Sequence, residues 1–327
     1  MSYRADLIIA DGKNLLWRTH DVDQHRFARD GATAIGGAEG FLRLLHKLKR
    51  ELGGVVVVAW EGRGVNWRMA VDPEYKANRG KRKPEQVAEH EAVMRQVPIL
   101  QGLLSKLGVR QWQGVDCEGD DVMATLCERA VTNTRTAAGH AGFTHAAKVM
   151  IYSKDRDLLQ LVSDDRGVRQ CMPEKSNGAA AFMDRPASSL GRFMEEQDVI
   201  EVVGVPANRV TDYKGLAGDT GDNIPGVPGI GHKKAVALIE RFGDLDAILN
   251  AAADGLMQDN VKLRDKLLDH VDLARRCKLL ASVRGDATIE ELPRSRSEDD
   301  AHAAMLDLGM MSLCVDTEFR RMMEIGA

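Results

Sequence analysis

Over roughly the first 170 residues, short apolar runs alternate along the chain with stretches in which apolar residues have helical spacing. The runs ADLIIA, GGVVVVAW, GVRQWQ and AKVMIYS are bounded by polar or glycine residues, which indicates buried strands. Helical spacing marks residues 37–52, the stretch CEGDDVMATLCERAV and the start of KDRDLLQLV. Strands and helices that alternate in this way are typical of an α/β protein with a parallel sheet.

A long helical segment and a later change of pattern complete the prediction. Residues 84–107 are largely helical in period, with Pro84 suited to the first helical position, and we expect Pro98 to kink or break this helix. Beyond about residue 182 the sequence consists mainly of helical patches around one Gly- and Pro-rich cluster. We therefore place a boundary between two units within residues 181–194. The polar stretch RSRSEDDAHAA is predicted to connect to a last short helix.

Composition excludes several classes of protein. The 327 residues are 44% hydrophobic, which is ordinary for a globular protein, and no apolar run approaches the about 20 residues of a membrane helix. The start MSYRADLIIADG lacks a signal-peptide pattern, so we expect a cytoplasmic protein. None of the five cysteines belongs to a CxxC pair, which argues against a disulfide framework and a zinc site.

Charge is unevenly distributed. The net charge of −4 alone argues weakly against a nucleic-acid partner, but basic residues gather within residues 63–83. Tyr75 stands beside Lys76, which suits stacking on an unpaired base beside a gripped phosphate. Lys76 or Arg79 could also stabilise charge on a phosphate in a transition state. A solvated charged loop is the alternative. The basic residues of this stretch are Arg63, Arg68, Lys76, Arg79, Lys81, Arg82 and Lys83.

Acidic residues follow three of the predicted strands. Asp11, Glu61 and Asp155 stand directly after apolar runs, and the carboxyl ends of parallel strands share one edge of a sheet, where ligands bind. Taken singly, such a residue is a turn residue or a helix N-cap, and Asp155 could simply cap the helix after it. Four further acids accompany them: Glu118, Asp120, Asp121 and Asp157.

As a group, these carboxylates point to metal. Carboxylates that converge on one crevice repel each other and raise each other's pKa unless cations neutralise them. Hard divalent ions with oxygen ligands, Mg²⁺ or Mn²⁺, do this, and no His or Cys accompanies the acids at the spacing of zinc ligands. Two such ions about 4 Å apart activate a water and stabilise the leaving oxygen in phosphodiester hydrolysis.

A second acidic motif precedes a glycine-rich hairpin. Asp219 and Asp222 in GDTGDN lie three residues apart, and alone they could belong to a polar turn. The following IPGVPGIGHKKA predicts a tight hairpin whose exposed N–H groups can hold a phosphate, as in a helix-hairpin-helix element. A plain connection between two helices is the alternative. The residues concerned are Gly226, Gly229, Gly231, Lys233 and Lys234.

Five motifs in this order resemble the 5′ nuclease family of phage and bacterial flap endonucleases and the 5′ nuclease domain of DNA polymerase I: LIIADGKNLLWR, YKANR, CEGDDVMATL, SKDRDLLQLV and GLAGDTGDNIPGVPGIGHKKA. The resemblance covers about residues 5–292. It implies a parallel-sheet, PIN-like core over residues 1–185 with a helical arch at about 68–108. A helical DNA-binding subdomain with the helix-hairpin-helix would span 186–292, and a connector with a helix would span 293–327.

The resemblance also implies an activity. Members cleave 5′ flaps and branched DNA near the single-strand/double-strand junction, with 5′→3′ exonuclease activity. Two to three Mg²⁺ or Mn²⁺ ions would serve as cofactors, and K⁺ at the helix-hairpin-helix is a further candidate. A monomer that acts on DNA is expected. The chain length leaves no room for a polymerase domain, so a stand-alone nuclease is expected.

Roles are carried over motif by motif. Catalytic roles fall to Asp11, Asp120 and Asp155 with Lys76 and Arg79 at the scissile phosphate, and Tyr75 would stack on a base. DNA contacts would come from Arg63, Arg68, Lys81, Arg82, Lys83 and the hairpin residues named above. The resemblance implies this set of metal-binding acids: Asp11, Glu61, Glu118, Asp120, Asp121, Asp155, Asp157, Asp219 and Asp222.

The sequence departs from the family pattern at two positions. The family usually has Asp after the second strand, whereas this chain has Glu61, which keeps the charge but reaches one methylene farther. Glu61 could therefore retain the metal with shifted geometry or act through a water. Gly119 replaces the usual Ala inside the acidic motif, at a cost to the helix of up to about 1 kcal/mol.

Two alternatives stay open at this point. A catalytically weak protein that binds branched DNA would fit if Glu61 no longer served the metal. A related metal nuclease that acts mainly on the RNA of RNA–DNA hybrids is also compatible with the sequence.

Overall fold

A seven-stranded sheet forms the centre of the computed structural model, which describes residues 3–80, 83–132, 147–173 and 190–315. The strand order is β6-β5-β4-β1-β2-β3-β7; the five inner strands are parallel and the two edge strands are antiparallel to their neighbours. The strands are β1 (Leu7–Asp11), β2 (Val55–Arg63), β3 (Arg110–Val115), β4 (Val149–Tyr152), β5 (Val168–Met172), β6 (Arg192–Met194) and β7 (Ile289–Glu291).

Helices cover both faces of the sheet and form most of the remaining chain. In chain order they are α1 (Gly12–Val22), α2 (Gly36–Leu52), α3 (Trp67–Val71), α4 (Pro84–Lys106), α5 (Gly119–Val131), α6 (Glu196–Val203), α7 (Val210–Ala217), α8 (His232–Phe242), α9 (Leu245–Ala253), α10 (Val261–Asp269), α11 (Val271–Ala281), α12 (Glu298–Leu308) and α13 (Met311–Val315). In the parts of the chain that the structure describes, no helix has the length and apolar character needed to cross a membrane.

The alternation of side chains along β1 explains the two layers. Ile8 belongs to the hydrophobic core under α1, α2 and α4, whereas Ile9 belongs to the core under α5. Successive residues of a strand point to opposite faces, and a parallel sheet covered on both faces needs apolar residues on each. The predicted α/β class with a mostly parallel sheet is therefore confirmed.

The later part of the chain has a separate hydrophobic core. Residues of α6 to α11 pack around Val199, Leu216, Leu238 and Ile248, all of which are buried. This helical unit meets the α/β unit where α11 contacts α3 and where α7 contacts the 3-10 turn Arg156–Leu161. The sequence predicted the start of an α-helix at this turn. Most of the predicted boundary segment lies outside the described residues.

Helix α4 contradicts one of the two expectations for Pro98, that it breaks the helix. Pro98 does not end the helix, which continues for eight residues to Lys106. Proline removes one helical hydrogen bond, but Leu100, Leu103 and Leu104 are buried in the core beyond it, and their burial holds the second half in place. The first turns of α4, in contrast, are exposed.

Two further elements differ from the prediction. Helix α1 begins directly after Asp11, where none was predicted, because the Asp11 side chain caps it. The polar stretch after residue 293 is a connector only up to Ser297, which caps α12. Helices α12 and α13 then pack with Ala301 and Leu313 against the core of α2 and α4.

Candidate active site

A cleft of about 210 Å³ opens at the carboxyl edge of the sheet. Registers bring the ends of the strands together there, since Asp11 pairs with Ala59 on β2 and Ala10 pairs with Tyr152 on β4. Asn14 and Trp17 of α1 contribute to its wall. Five acids and three basic residues line it: Asp11, Glu61, Glu118, Asp120, Asp155, Lys13, Lys76 and Arg79.

Ser153 joins the acids of two strands. Its hydroxyl donates to Asp11 Oδ2 at 2.7 Å and accepts from the backbone N–H of Asp155 at 3.1 Å. Burial raises the pKa of Asp11 to about 6, against the opposing hydrogen bonds from Ser153 and the N–H of Asn14. The ends of β1 and β4 therefore present two carboxylates in a fixed relation. Sequence reasoning missed Ser153, a common residue with no motif of its own.

Asp155 has both roles that the sequence left open. Its carboxylate accepts from the N–H of Asp157 at 2.9 Å and so caps the 3-10 turn. The same side chain lines the cleft. A carboxylate has several lone pairs, so the capping hydrogen bond leaves others that can bind a metal ion.

Asp120 is the carboxylate with the strongest electrostatic conflict in the cleft. Burial and the nearby charges of Asp155 and Asp11, with smaller contributions from Asp157 and Glu118, raise its pKa well above the usual range. No described residue donates a hydrogen bond to this carboxylate. Asp120 thus faces other acids from the first turn of α5 and has no described hydrogen-bond donor. A divalent cation that prefers oxygen ligands would neutralise its charge.

Cations of the chain neutralise other acids in the cleft and beside it. Lys76, whose backbone φ is +58°, places its ammonium 2.5 Å from Glu118, and Arg79 lies 2.5 Å from Asp222. Lys13 forms an ion pair with Glu61. With the side chains placed so, no three His, Cys, Asp or Glu side chains within the described ranges surround a single metal position.

The second acidic group meets around one lysine. Lys214 of α7 forms ion pairs with Asp157 and, at 2.6 Å, with Asp219. Burial raises the pKa of Asp157 to about 6, although Lys214 opposes the shift. Lys214 was not singled out in the sequence, because a lysine inside a helical patch gives no signal of a partner 57 residues away.

Arg68 and Asp121 require a correction. Both residues are buried, at 2% and 0% exposure, so Arg68 is not placed to contact DNA and Asp121 is not placed to bind metal. The Asp121 carboxylate already accepts from five donors, which exhausts its lone pairs: both Arg68 Nη atoms, Trp67 Nε1, and the N–H groups of Glu118 and Arg284.

Tyr75 requires a second correction. Its ring is 4% exposed, packs against Ile224 and Leu280, and leaves no open face for a base. The single O–H of the phenol is shared between two acceptors, Glu118 Oε2 at 3.1 Å and Asp222 Oδ2 at 3.0 Å. Tyr75 therefore holds the YKANR motif onto the GDTGDN loop. The sequence could not distinguish a buried tyrosine that links two segments from an exposed tyrosine that stacks on a base.

The glycine-rich hairpin has the geometry that its sequence indicates. Gly226 and Gly229 have φ of +65° and +75°, and a Cβ on Gly226 would lie 2.4 Å from the backbone of Gly218. Gly231 caps α8, and Lys233 and Lys234 are exposed on its first turn. Lys234 also donates to the carbonyl oxygen of Gly229 at 2.9 Å, so its ammonium lies at the hairpin. Arg63 and Lys83 are exposed as well, whereas Lys81 and Arg82 lie outside the described residues.

Family models match most of the chain. The model described as 5′-3′ exonuclease, N-terminal resolvase-like domain, matches residues 6–187. The model described as 5′-3′ exonuclease, C-terminal SAM fold, matches residues 205–301.

Curated relatives include polymerases and stand-alone nucleases. DNA polymerase I of Bacillus subtilis is 28% identical over 291 residues, which cover 89% of this chain and 29% of that protein. The chain thus spans less than a third of the length of the first polymerases that it matches. Flap endonuclease Xni of Pectobacterium carotovorum is 29% identical over 283 residues, which cover 86% of this chain and 91% of that protein.

Solved structures share the fold. T5 5′-exonuclease with bound zinc has a TM-score of 0.63 at 20% identity and covers 98% of this chain and 99% of its own. The catalytic core of Rad2 in complex with DNA has a TM-score of 0.57 at 17% identity, with 98% and 93% covered. Since the first family model alone matches more than half of the residues, the chain belongs to the 5′-3′ exonuclease family.

Proposed function

We propose that this protein is a divalent-metal-dependent 5′ nuclease that hydrolyses phosphodiesters at 5′ flaps of branched DNA and removes nucleotides in the 5′→3′ direction. One observation carries the proposal. Asp11, Asp120 and Asp155 come from β1, α5 and the end of β4 and line one cleft, and Asp120 has an electrostatic conflict that a bound cation would relieve.

The carboxylates suit a hard metal ion. All candidate ligands are oxygen donors, which favours Mg²⁺ or Mn²⁺ over zinc. Asp11, Asp120 and Asp155 would hold the ion, with Glu118 beside them. When bound, such ions lower the pKa of a water and stabilise charge on the phosphate. The T5 5′-exonuclease structures with divalent ions support metal dependence of the same fold.

Basic side chains at the cleft would place the DNA. Lys76 and Arg79 pair with acids in the structure, at Glu118 and Asp222. A phosphate that enters the cleft offers both cations a second partner, and their charges would oppose the charge that builds up on it. This assignment keeps Lys76 and Arg79 at the scissile phosphate.

Trp17 replaces Tyr75 as the candidate for base stacking. The indole lines the cleft and is partly exposed. The ring stacks on His90 of α4, with centroids 5.7 Å apart, and its exposed part would contact a nucleobase. Stacking on an aromatic ring is worth about 1–3 kcal/mol per base and does not depend on sequence.

The helix-hairpin-helix would bind duplex DNA away from the cleft. The exposed first turn of α8 presents N–H groups and two lysines to one phosphate strand. Binding of K⁺ at this hairpin, a monomeric state and a cytoplasmic location stay predictions. The RNA strand of RNA–DNA hybrids stays the second candidate substrate.

A cleavage assay tests the proposal. The protein is incubated with an end-labelled 5′-flap DNA and Mg²⁺ or Mn²⁺, with EDTA as the control and an RNA–DNA hybrid of the same sequence in parallel. We expect metal-dependent cutting at the junction, and we expect Asp120→Asn and Asp155→Asn to lose cutting but keep flap binding. Tight binding without cutting by the unmodified protein would mean a binding protein instead.

A further inference from the structure

Gln170 holds the segment that carries Asp155 from the neighbouring strand. Its backbone pairs with Ile151, so it lies on β5 beside the last residues of β4. The side chain is fully buried, and its amide nitrogen donates to the carbonyl oxygens of Ser153, at 2.9 Å, and of Asp155, at 2.6 Å. One amide group therefore fixes the backbone at both ends of this three-residue segment.

The amide of Gln170 has one possible orientation. Both partners are carbonyl oxygens, which only accept hydrogen bonds, so the NH₂ group must face them. The other amide atom, Oε1, is then buried and has no hydrogen-bond donor in the described part of the chain, which costs free energy. Gln96 of α4, which is equally buried, satisfies both ends of its amide, at Ala38 and Ala92. Gln170 instead leaves its own acceptor unpaired, which is typical of a functional position.

Ser153 and Gln170 act on the same segment from two directions. The Ser153 hydroxyl donates to Asp11 and accepts from the N–H of Asp155, whereas Gln170 binds the carbonyl groups at both ends. The Asp155 carboxylate is in turn anchored at the N–H of Asp157. Its position relative to Asp11 thus depends on how this segment is held. A displacement of about 1 Å in a catalytic group can lower a rate about 100-fold.

We propose that Gln170 is a positioning residue of the nuclease, whose two amide hydrogen bonds hold Asp155 where it can share a divalent ion with Asp11 and Asp120. The described lining of the cleft does not include Gln170, so it acts through Asp155 and touches neither the ion nor the DNA. This inference rests on the proposed function. It adds a residue that lies outside all five motifs of the family resemblance.

Calorimetric titration of DNA-free, metal-free protein with Mn²⁺ tests this role without any cleavage. Gln170→Met keeps the length of the side chain and removes both donors. We expect its affinity for Mn²⁺ to fall by about 10- to 100-fold, as is usual when a group that orients a metal ligand is lost. Gln170→His can keep one N–H donor and should lose less. Gln96→Met is the matched control, a buried glutamine that holds no part of the acid segment, and it should leave the affinity unchanged.

Flap cleavage separates positioning from a general loss of structure. At saturating Mn²⁺, Gln170→Met should lower kcat by about 10- to 100-fold. It should leave KM for the flap DNA unchanged, because Gln170 does not contact the DNA. If Gln170→Met fails to fold, Gln170→His provides the test, since with one donor lost it should still bind Mn²⁺ more weakly than Gln96→Met.

The outcomes separate the inference from the proposed function. Unchanged Mn²⁺ affinity and kcat in Gln170→Met would overturn the inference. So would an equal loss in Gln96→Met, or a change in KM and not in kcat, since either would mean a general structural role. These results leave the nuclease itself standing. A folded, unmodified protein that binds no Mn²⁺ would instead overturn the metal-dependent function, on which the inference rests.

Discussion

The guanidinium of Arg68 and the carboxylate of Asp121 form two parallel hydrogen bonds of 2.7 and 2.9 Å in the interior of the protein. Arg68 also donates to the carbonyl oxygens of Leu280 and Ser282 at the end of α11. The pair thus connects α3, the first turn of α5 and the helical unit. Because Asp121 follows Asp120 on that turn, it positions a residue of the cleft without reaching the cleft itself.

Removal of Arg68 should destabilise the protein strongly. Arg68→Ala leaves the Asp121 charge buried without a cation, which typically costs about 3–5 kcal/mol. Arg68→Lys should recover only part of this, because lysine cannot form the bidentate pair. Urea unfolding measures the effect. Arg63→Ala, an exposed arginine five residues earlier, is the control. An Arg68→Ala protein as stable as Arg63→Ala would contradict the buried role.

Asp120→Asn should stabilise the protein in metal-free buffer. The ionised Asp120 faces other carboxylates without a donor, and the neutral amide removes this repulsion. At pH 7.5 with EDTA, the melting temperature of the variant should be about 2 °C or more above that of the unmodified protein. Added Mg²⁺ should stabilise the unmodified protein more than the variant. Lower stability of the variant in EDTA would contradict the conflict at this site.

Asp11 should give the metal-free protein a stability that falls as pH rises. The folded-state pKa of Asp11 is raised to about 6, from about 4 in the unfolded chain. The folded state therefore holds the proton more tightly. Between these values a rise in pH removes the proton from the unfolded chain but not from the folded state, which lowers the stability. The penalty is complete above pH 6 and absent below pH 4. Asp11→Asn should melt higher than the unmodified protein at pH 7.5 in EDTA, and the difference should shrink towards pH 4. A difference that is the same at both pH values would contradict the shift.

Tyr75→Phe distinguishes a tether from a stacking platform. The variant keeps the ring but loses the hydrogen bonds to Glu118 and Asp222. We expect a loss of stability of about 1–3 kcal/mol and unchanged fluorescence of 2-aminopurine placed at the base of the flap. Trp17→Ala should change that fluorescence instead. Equal stability of Tyr75→Phe with the unmodified protein would return Tyr75 to the list of candidates for stacking.

The hairpin lysines should contribute through phosphate contacts. Lys233→Ala with Lys234→Ala should weaken duplex binding for all sequences, and the slope of log K against log salt should fall by about 1–2. Equilibrium binding at several salt concentrations measures this. Lys262→Ala on α10 serves as the control for loss of an exposed lysine elsewhere in the helical unit. A salt slope equal to that of the unmodified protein would remove the hairpin from the DNA interface.

The sequence by itself determined the sheet and the convergence of its acids. The continuous apolar runs of β1, β2 and β4 follow from local patterns, and parallel strands place their carboxyl ends at one edge. Asp11 and Asp155 could therefore be assigned to one cleft without coordinates. The hairpin was also predictable from its glycines, because glycine readily adopts the positive φ that Gly226 and Gly229 have in the structure.

Only the tertiary structure decided which charged side chains face solvent and which face each other. Asp120 and Asp121 are neighbours of the same charge, yet one lines the cleft and the other lies buried against Arg68, 53 residues away in the chain. The roles of Lys214 and Lys13 likewise depend on their ion pairs with acids that the fold brings to them from distant segments. Burial and pairing depend on contacts between remote segments, which no local pattern of residue types encodes, so the same side chain can bind metal, bind DNA or hold the fold together.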